Sequence, residues 1–150
     1  MARTIALATL VAGTLDILFA MILTVLFGRE VGNMLRYVGS GPFPAATDMG
    51  TAGAVIGLLT HFSLIAIMAW VFVLAARQRP ALVDRPVQWG ILYGLATYVG
   101  MNWVVVPLRF DAPLPPRPLS IATQLFAHIV LVGLPIALIV ARKLRARTIV

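Results

Sequence analysis

Polar side chains that can carry a proton or bind a ligand occur in each of four long apolar stretches of this sequence. They are Asp16 in the first stretch, His61 in the second, Asn102 in the third and His128 in the fourth. Imidazole titrates near neutral pH, and both imidazole and carboxylate bind divalent metals. Histidine also ligates haem iron. Proton binding, metal binding and haem ligation are therefore the chemistries to consider.

The four stretches are long enough to cross a bilayer, which takes about 20 apolar residues. They predict helices at about 5–27, 49–76, 87–108 and 120–141. The chain is 61% hydrophobic and 11% charged, whereas a soluble domain carries about 25% charged residues. The sequence therefore predicts an all-α protein, a single transmembrane domain over 1–150. Short turns between four spans favour an up-down-up-down integral membrane four-helix bundle.

The connector between the first two helices contains a further helical pattern at about 29–39. Its apolar residues recur at helical spacing, while its polar residues fall elsewhere on the helical wheel. We expect a short interfacial amphipathic helix here, lying at the membrane surface. The apolar set is Val31, Met34, Leu35 and Val38.

Glycine pairs spaced four residues apart occur in the second and third helices, as Gly53 with Gly57 and Gly90 with Gly94. Small residues at this spacing let membrane helices approach closely. These faces could pack within the chain, or they could receive another protein. Pro135 should kink the fourth helix, because proline lacks the N–H that the helix needs.

The distribution of Lys and Arg predicts the orientation of the chain. Eight of the twelve lie at the N-terminus, in the second turn and in the C-terminal tail. The positive-inside rule then places the N- and C-termini in the cytoplasm. Because these residues flank apolar stretches, the net charge of +7 indicates contact with lipid headgroups and not with nucleic acid.

Depths along the helices bring the polar residues together. With a rise of 1.5 Å per residue, the four residues named first lie in the outer half of the bilayer, within roughly 9 Å of one another in depth. Two further residues extend this set. We call the six residues the polar layer: Asp16, His61, Tyr98, Asn102, Gln124 and His128.

Four interpretations of the polar layer remain open. It could hold the helices together by hydrogen bonds alone. It could be a proton- or ion-responsive site, with Asp16 paired to His61 or His128. His61 and His128 could be the axial ligands of a b-type haem, or all three residues could bind a divalent metal. No cofactor is favoured over none.

No known enzyme motif is present, so the sequence favours a protein that is not an enzyme. A different class of function is an accessory subunit of a larger membrane complex, for which the glycine faces of the second and third helices could serve. Four helices are also few for a transporter, so transport would require a homo-oligomer.

Short strings around the polar residues resemble a widespread group of small bacterial membrane proteins with four helices and no assigned activity. The strings are Ala12-Gly13-Thr14-Leu15-Asp16, His61-Phe62, Tyr93-Gly94, Met101-Asn102, and His128 followed by Gly133-Leu134-Pro135-Ile136-Ala137-Leu138. The resemblance implies a bacterial inner (cytoplasmic) membrane protein that crosses the membrane several times. It implies no substrate or reaction.

Overall fold

The computed structural model describes residues 1–148 of the chain and contains no strand within them. Four long helices dominate it, and each is long and apolar enough to cross a membrane. The all-α prediction is therefore confirmed. The long helices are α1 (Ala2–Leu26), α3 (Gly50–Gln78), α5 (Pro86–Phe110) and α6 (Pro118–Ala146, with helical turns continuing to Thr148). Shorter ones are α2 (Val31–Gly39), a 3₁₀ helix (Pro44–Asp48) and α4 (Pro80–Asp84).

The buried core lies in one half of the molecule, which we call the inner half. This half contains the N-terminus and the turn between α3 and α5. Its residues are small or branched aliphatic side chains around one aromatic ring, and they come from α1, α3 and α6. The opposite, outer half contains α2 and the connector between α5 and α6. The core residues are Ala8, Ala12, Ile65, Ala69, Phe72, Val73, Ala76, Val132, Ile136, Ala137 and Val140.

Helix α2 packs against the outer half of α3. A Cβ atom added to Gly57 would overlap the carbonyl oxygen of Leu35, and one added to Gly39 would lie 2.9 Å from the amide nitrogen of Gly57. A Cβ on Gly53 would likewise overlap the carbonyl of Ala46 in the 3₁₀ helix. The predicted helix at 29–39 is therefore present, and it uses the first glycine pair as its packing surface.

The second glycine pair is used inside the chain as well. A Cβ on Gly94 would lie 2.5 Å from the Cα of Ile129, and one on Gly90 would lie 3.1 Å from the Cβ of Ala137. On the facing helix, a Cβ on Gly133 would meet the backbone of Gly94. Close approach of α5 and α6 thus depends on glycines on both helices. Both glycine faces therefore pack within the chain.

Each of the last two long helices contains a π-helical segment. Gly100–Val105 lies within α5, and Ala127–Gly133 lies within α6. Each segment ends two residues before a proline, Pro107 or Pro135. A proline ring clashes with the carbonyl of the residue four positions earlier, and π turns, with bonds five residues apart, accommodate it. The distortion expected at Pro135 is therefore a π-helical segment, and α5 carries a second one before Pro107.

Candidate functional site

The structure brings Asp16 of α1 and His61 of α3 together. The Nδ1 atom of His61 lies 3.8 Å from Oδ2 of Asp16. The His61 side chain is 11% exposed and that of Asp16 is 23% exposed. Within the described residues no other carboxylate lies within 4 Å of a basic nitrogen. The pair is thus the one place in this part of the chain where an acid and a base meet.

The hydrogen bond made by the second ring nitrogen of His61 sets the tautomer of the ring. Its Nε2 atom lies 2.9 Å from the carbonyl oxygen of Gly13, one turn before Asp16 on α1. A carbonyl oxygen only accepts hydrogen bonds, so Nε2 must carry a hydrogen and donate it. In the neutral ring the Nδ1 atom, which faces Asp16, then carries the lone pair.

Tight packing around Gly13 holds the imidazole in this position. A Cβ added to Gly13 would lie 2.6 Å from Cε1 of Phe62, so the absence of a side chain lets that ring lie against α1. The Phe62 ring meets the His61 ring edge to face, with centroids 5.3 Å apart. Gly13 therefore provides both the carbonyl that orients His61 and the space for its aromatic neighbour.

His128 lies in a second cluster, between α5 and α6. Its Nε2 atom is 3.4 Å from Nδ2 of Asn102, and its Nδ1 atom is 3.2 Å from Oγ1 of Thr97. The Asn102 amide also donates to the carbonyl of Tyr98, and the Thr97 hydroxyl donates to the carbonyl of Gly94. These directions agree if Nε2 of His128 accepts and Nδ1 donates. A neutral imidazole satisfies the whole cluster.

The π-helical segment of α5 explains why this cluster can form. Thr97 and Asn102 contact the same imidazole although they are five residues apart, and in an α-helix such residues point about 140° apart. The indole of Trp103 donates to the hydroxyl of Tyr98, again five residues away, at 3.1 Å. Because α-helical spacing disfavours both contacts, Thr97 could not be predicted from an α-helical wheel.

The polar layer therefore divides into two clusters. Asp16 and His61 form one, while Asn102 and His128 form the other with Thr97 and the buried Tyr98. Gln124 is half-buried on α6, and its amide makes no hydrogen bond to a described residue. The predicted residues are all near a helix interface, but they do not form one continuous network.

The arrangement bears on the metal and haem hypotheses. No group of three or more His, Cys, Asp and Glu residues that could hold a metal ion occurs among the residues described. Asp16 and His61 offer two ligands, while His128 is engaged by Asn102 and Thr97. Ligation of haem iron through Nε2 of His61 would replace the hydrogen bond to Gly13. Both hypotheses remain predictions, and the contacts offer them no assembled site.

Comparison with known proteins found no matching family model, no matching curated protein and no matching solved structure. The similarity to small bacterial four-helix membrane proteins therefore stays a prediction. The functional argument depends on the geometry of the two polar clusters and on the chemistry of their side chains.

Proposed function

We propose that this chain is a multi-pass protein of the bacterial inner membrane, with α1, α3, α5 and α6 as its spans and both termini in the cytoplasm. The contacts of α1 with α3 and α6, and of α5 with α6, support an up-down-up-down bundle. The inner half, which contains the N-terminus and the end of α6, then faces the cytoplasm. The outer half, with α2, faces the opposite side, where fewer Lys and Arg residues lie.

Within this bundle, the proposed activity is binding and release of one proton by Asp16 and His61, which makes the protein responsive to pH. The observation that carries this proposal is the position of Nδ1 of His61 near Asp16 while Nε2 is bonded to Gly13. With one proton, the pair is either carboxylate with imidazolium or carboxylic acid with neutral imidazole. Both forms attract.

Loss or gain of a proton changes the interaction between α1 and α3. With no proton to share, the carboxylate of Asp16 faces the lone pair of Nδ1, and the two repel. With two protons, an imidazolium faces a neutral acid that cannot compensate its charge. The pair therefore stabilises the fold while it holds one proton. This stabilisation is lost as the pH rises past the point at which the proton is released.

A polar cavity at the outer end of α1 supports access from the outer side. It has a volume of about 740 Å³ and is lined by polar residues of α1 and the start of α2, together with apolar neighbours. Thr24, one of its lining residues, lies eight residues beyond Asp16, or about 12 Å along the helix. The partial exposure of Asp16 is consistent with a short aqueous route to this cavity. The cavity is lined by Thr24, Gly28, Arg29, Glu30, Asn33, Met34 and Tyr37.

The test is thermal unfolding of the purified protein between about pH 4 and pH 9, for the wild type and for Asp16→Asn. We expect the melting temperature of the wild type to pass through a maximum and to fall by roughly 3 °C on its alkaline side, as expected for about 1 kcal/mol from a partly exposed ion pair. The amide of the variant cannot ionise, so the fall on the alkaline side should be absent from its profile.

Asp48→Asn is the matched control, because Asp48 is an exposed carboxylate at the end of the 3₁₀ helix and lies outside both the pair and the cavity. It should keep the wild-type profile. If Asp16→Asn and the wild type show the same dependence on pH, the pair is not the proton site.

The orientation can be tested because the chain has no cysteine. Ala45→Cys places one thiol in the outer connector, and Ala81→Cys places one in the inner turn, both at exposed positions. A membrane-impermeant maleimide applied to intact spheroplasts should label the first and not the second. The reverse pattern would contradict the proposed topology.

A further inference from the structure

An apolar cleft opens between α3 and α5 in the outer half of the molecule. These two helices meet in the inner half, where the hydroxyl of Tyr93 donates to the carbonyl of Met68 at 2.7 Å. Towards the outer side, a cleft of about 360 Å³ lies between them and α2. Its walls are aliphatic and aromatic for most of their area. The lining includes Val38, Pro42, Leu64, Met101, Val105 and Val106.

A positive charge lies at the outer end of this cleft. The guanidinium group of Arg109 donates from Nε to the carbonyl of Gly41 at 2.6 Å and from Nη2 to the carbonyl of Ser40 at 2.7 Å. These carbonyls follow α2, so Arg109 ties the end of α5 to the end of α2. No carboxylate of the described residues lies within 4 Å of its nitrogens, so its charge is not neutralised by an ion pair.

Two aromatic residues lie beside Arg109. The rings of Tyr37 and Phe110 stack with centroids 4.4 Å apart, and the guanidinium lies 5.3 Å from the centroid of Phe110. Burial raises the pKa of the Tyr37 hydroxyl, and the charge of Arg109 lowers it by a smaller amount. The hydroxyl therefore keeps its proton at neutral pH and can donate a hydrogen bond.

We propose that this cleft binds an anionic phospholipid, with its phosphate near Arg109 and Tyr37 and one acyl chain between α3 and α5. Met101 lies eight residues from Arg109, so the cleft extends about 12 Å along the helix. That length and the apolar lining match a segment of an acyl chain. The unneutralised cation matches the headgroup, because phosphate is the anion that arginine binds most readily in this setting.

The test measures the melting temperature in dodecylmaltoside with added dioleoylphosphatidylglycerol or dioleoylphosphatidylcholine. The wild type should be stabilised several degrees more by the anionic lipid. Arg109→Gln should lose this difference, whereas Arg109→Lys should keep most of it because the charge remains. Arg117→Gln, which removes a cation outside the cleft, should behave as the wild type does. Val105→Trp should weaken the lipid effect by filling the cleft.

Three outcomes would overturn the proposal. One is equal stabilisation of the wild type by the two lipids. Another is an equal effect of dihexanoylphosphatidylglycerol, whose short chains cannot fill the cleft, because this would indicate binding of the headgroup alone. The third is stabilisation that depends on protein concentration and not on the lipid, which would assign the cleft to a second copy of the chain. Because the lipid difference is measured within each variant, a general loss of stability in Arg109→Gln does not affect the comparison.

Discussion

The Nε2 atom of His61 is hydrogen-bonded to the carbonyl oxygen of Gly13, and this one contact decides how the imidazole meets Asp16. It places a hydrogen on Nε2 and leaves the lone pair of the neutral ring on Nδ1, 3.8 Å from the carboxylate. Without it, either nitrogen could face α1. A glycine carbonyl on the helix of the acid therefore orients a histidine on another helix, with its Nδ1 atom towards that acid.

Substitution of His61 should separate the structural role of the ring from its titration. His61→Gln places an amide N–H within reach of the Gly13 carbonyl but removes the ionisable group. We expect the melting temperature near neutral pH to stay within a few degrees of the wild type. The maximum in its dependence on pH should disappear, because only one ionisable partner remains. His61→Ala loses the hydrogen bond and the packing against Phe62, so its free energy of unfolding should be lower by at least about 1 kcal/mol. It should therefore also unfold at a lower temperature. Equal stability of the two variants would show that the Gly13 contact contributes nothing.

The glycines of α5 provide a test of the packing against α6. Gly94→Ala would press a methyl group into the backbone at His128 and Ile129, so it should cost about 1–3 kcal/mol. Gly100→Ala, in the same helix, meets nothing within 4 Å and should be neutral or stabilising by up to about 1 kcal/mol. Chemical or thermal unfolding of both variants measures this difference. Similar stabilities would mean that α5 and α6 are not as close as described.

Pro135→Ala should remove the cause of the π-helical segment in α6. The alanine restores an N–H and relieves the clash with the carbonyl of Leu131, so the segment should relax towards an α-helix. His128 would then rotate relative to the core residues that follow it, and its contacts with α5 would break. The ring ¹⁵N signals of His128 report this change directly.

Pro118→Ala is the matched control for that experiment. Pro118 lies in the first turn of α6, where a proline removes no helical hydrogen bond. It should leave the His128 signals unchanged. Unchanged signals in Pro135→Ala as well would show that the proline does not maintain the π-helical segment.

Much of the fold follows from the sequence, because the length and apolarity of a helix are properties of consecutive residues. The four long helices and the helix at α2 were predictable for this reason. The helix predicted at about 87–108 spans Pro86–Phe110 in the structure.

The pairing of the polar side chains was less predictable. Depth along each helix placed Asp16 and His61 at compatible levels, but the choice between His61 and His128 as the partner of Asp16 depends on helix rotation. The π-helical segments change that rotation, and an α-helical wheel does not include them. Thr97 was missed for the same reason, since its shared contact with Asn102 requires residues five apart to lie on one face.

The most direct test of the proton site is ¹⁵N NMR of the His61 ring in a His128→Gln background, in which His61 is the only histidine. A pH titration would follow both ring nitrogens, with and without Asp16→Asn. We predict that Nε2 stays protonated at every pH, that Nδ1 gains and loses the proton, and that the midpoint moves when Asp16 is replaced. Titration at Nε2, or the same midpoint in both proteins, would contradict the proposal.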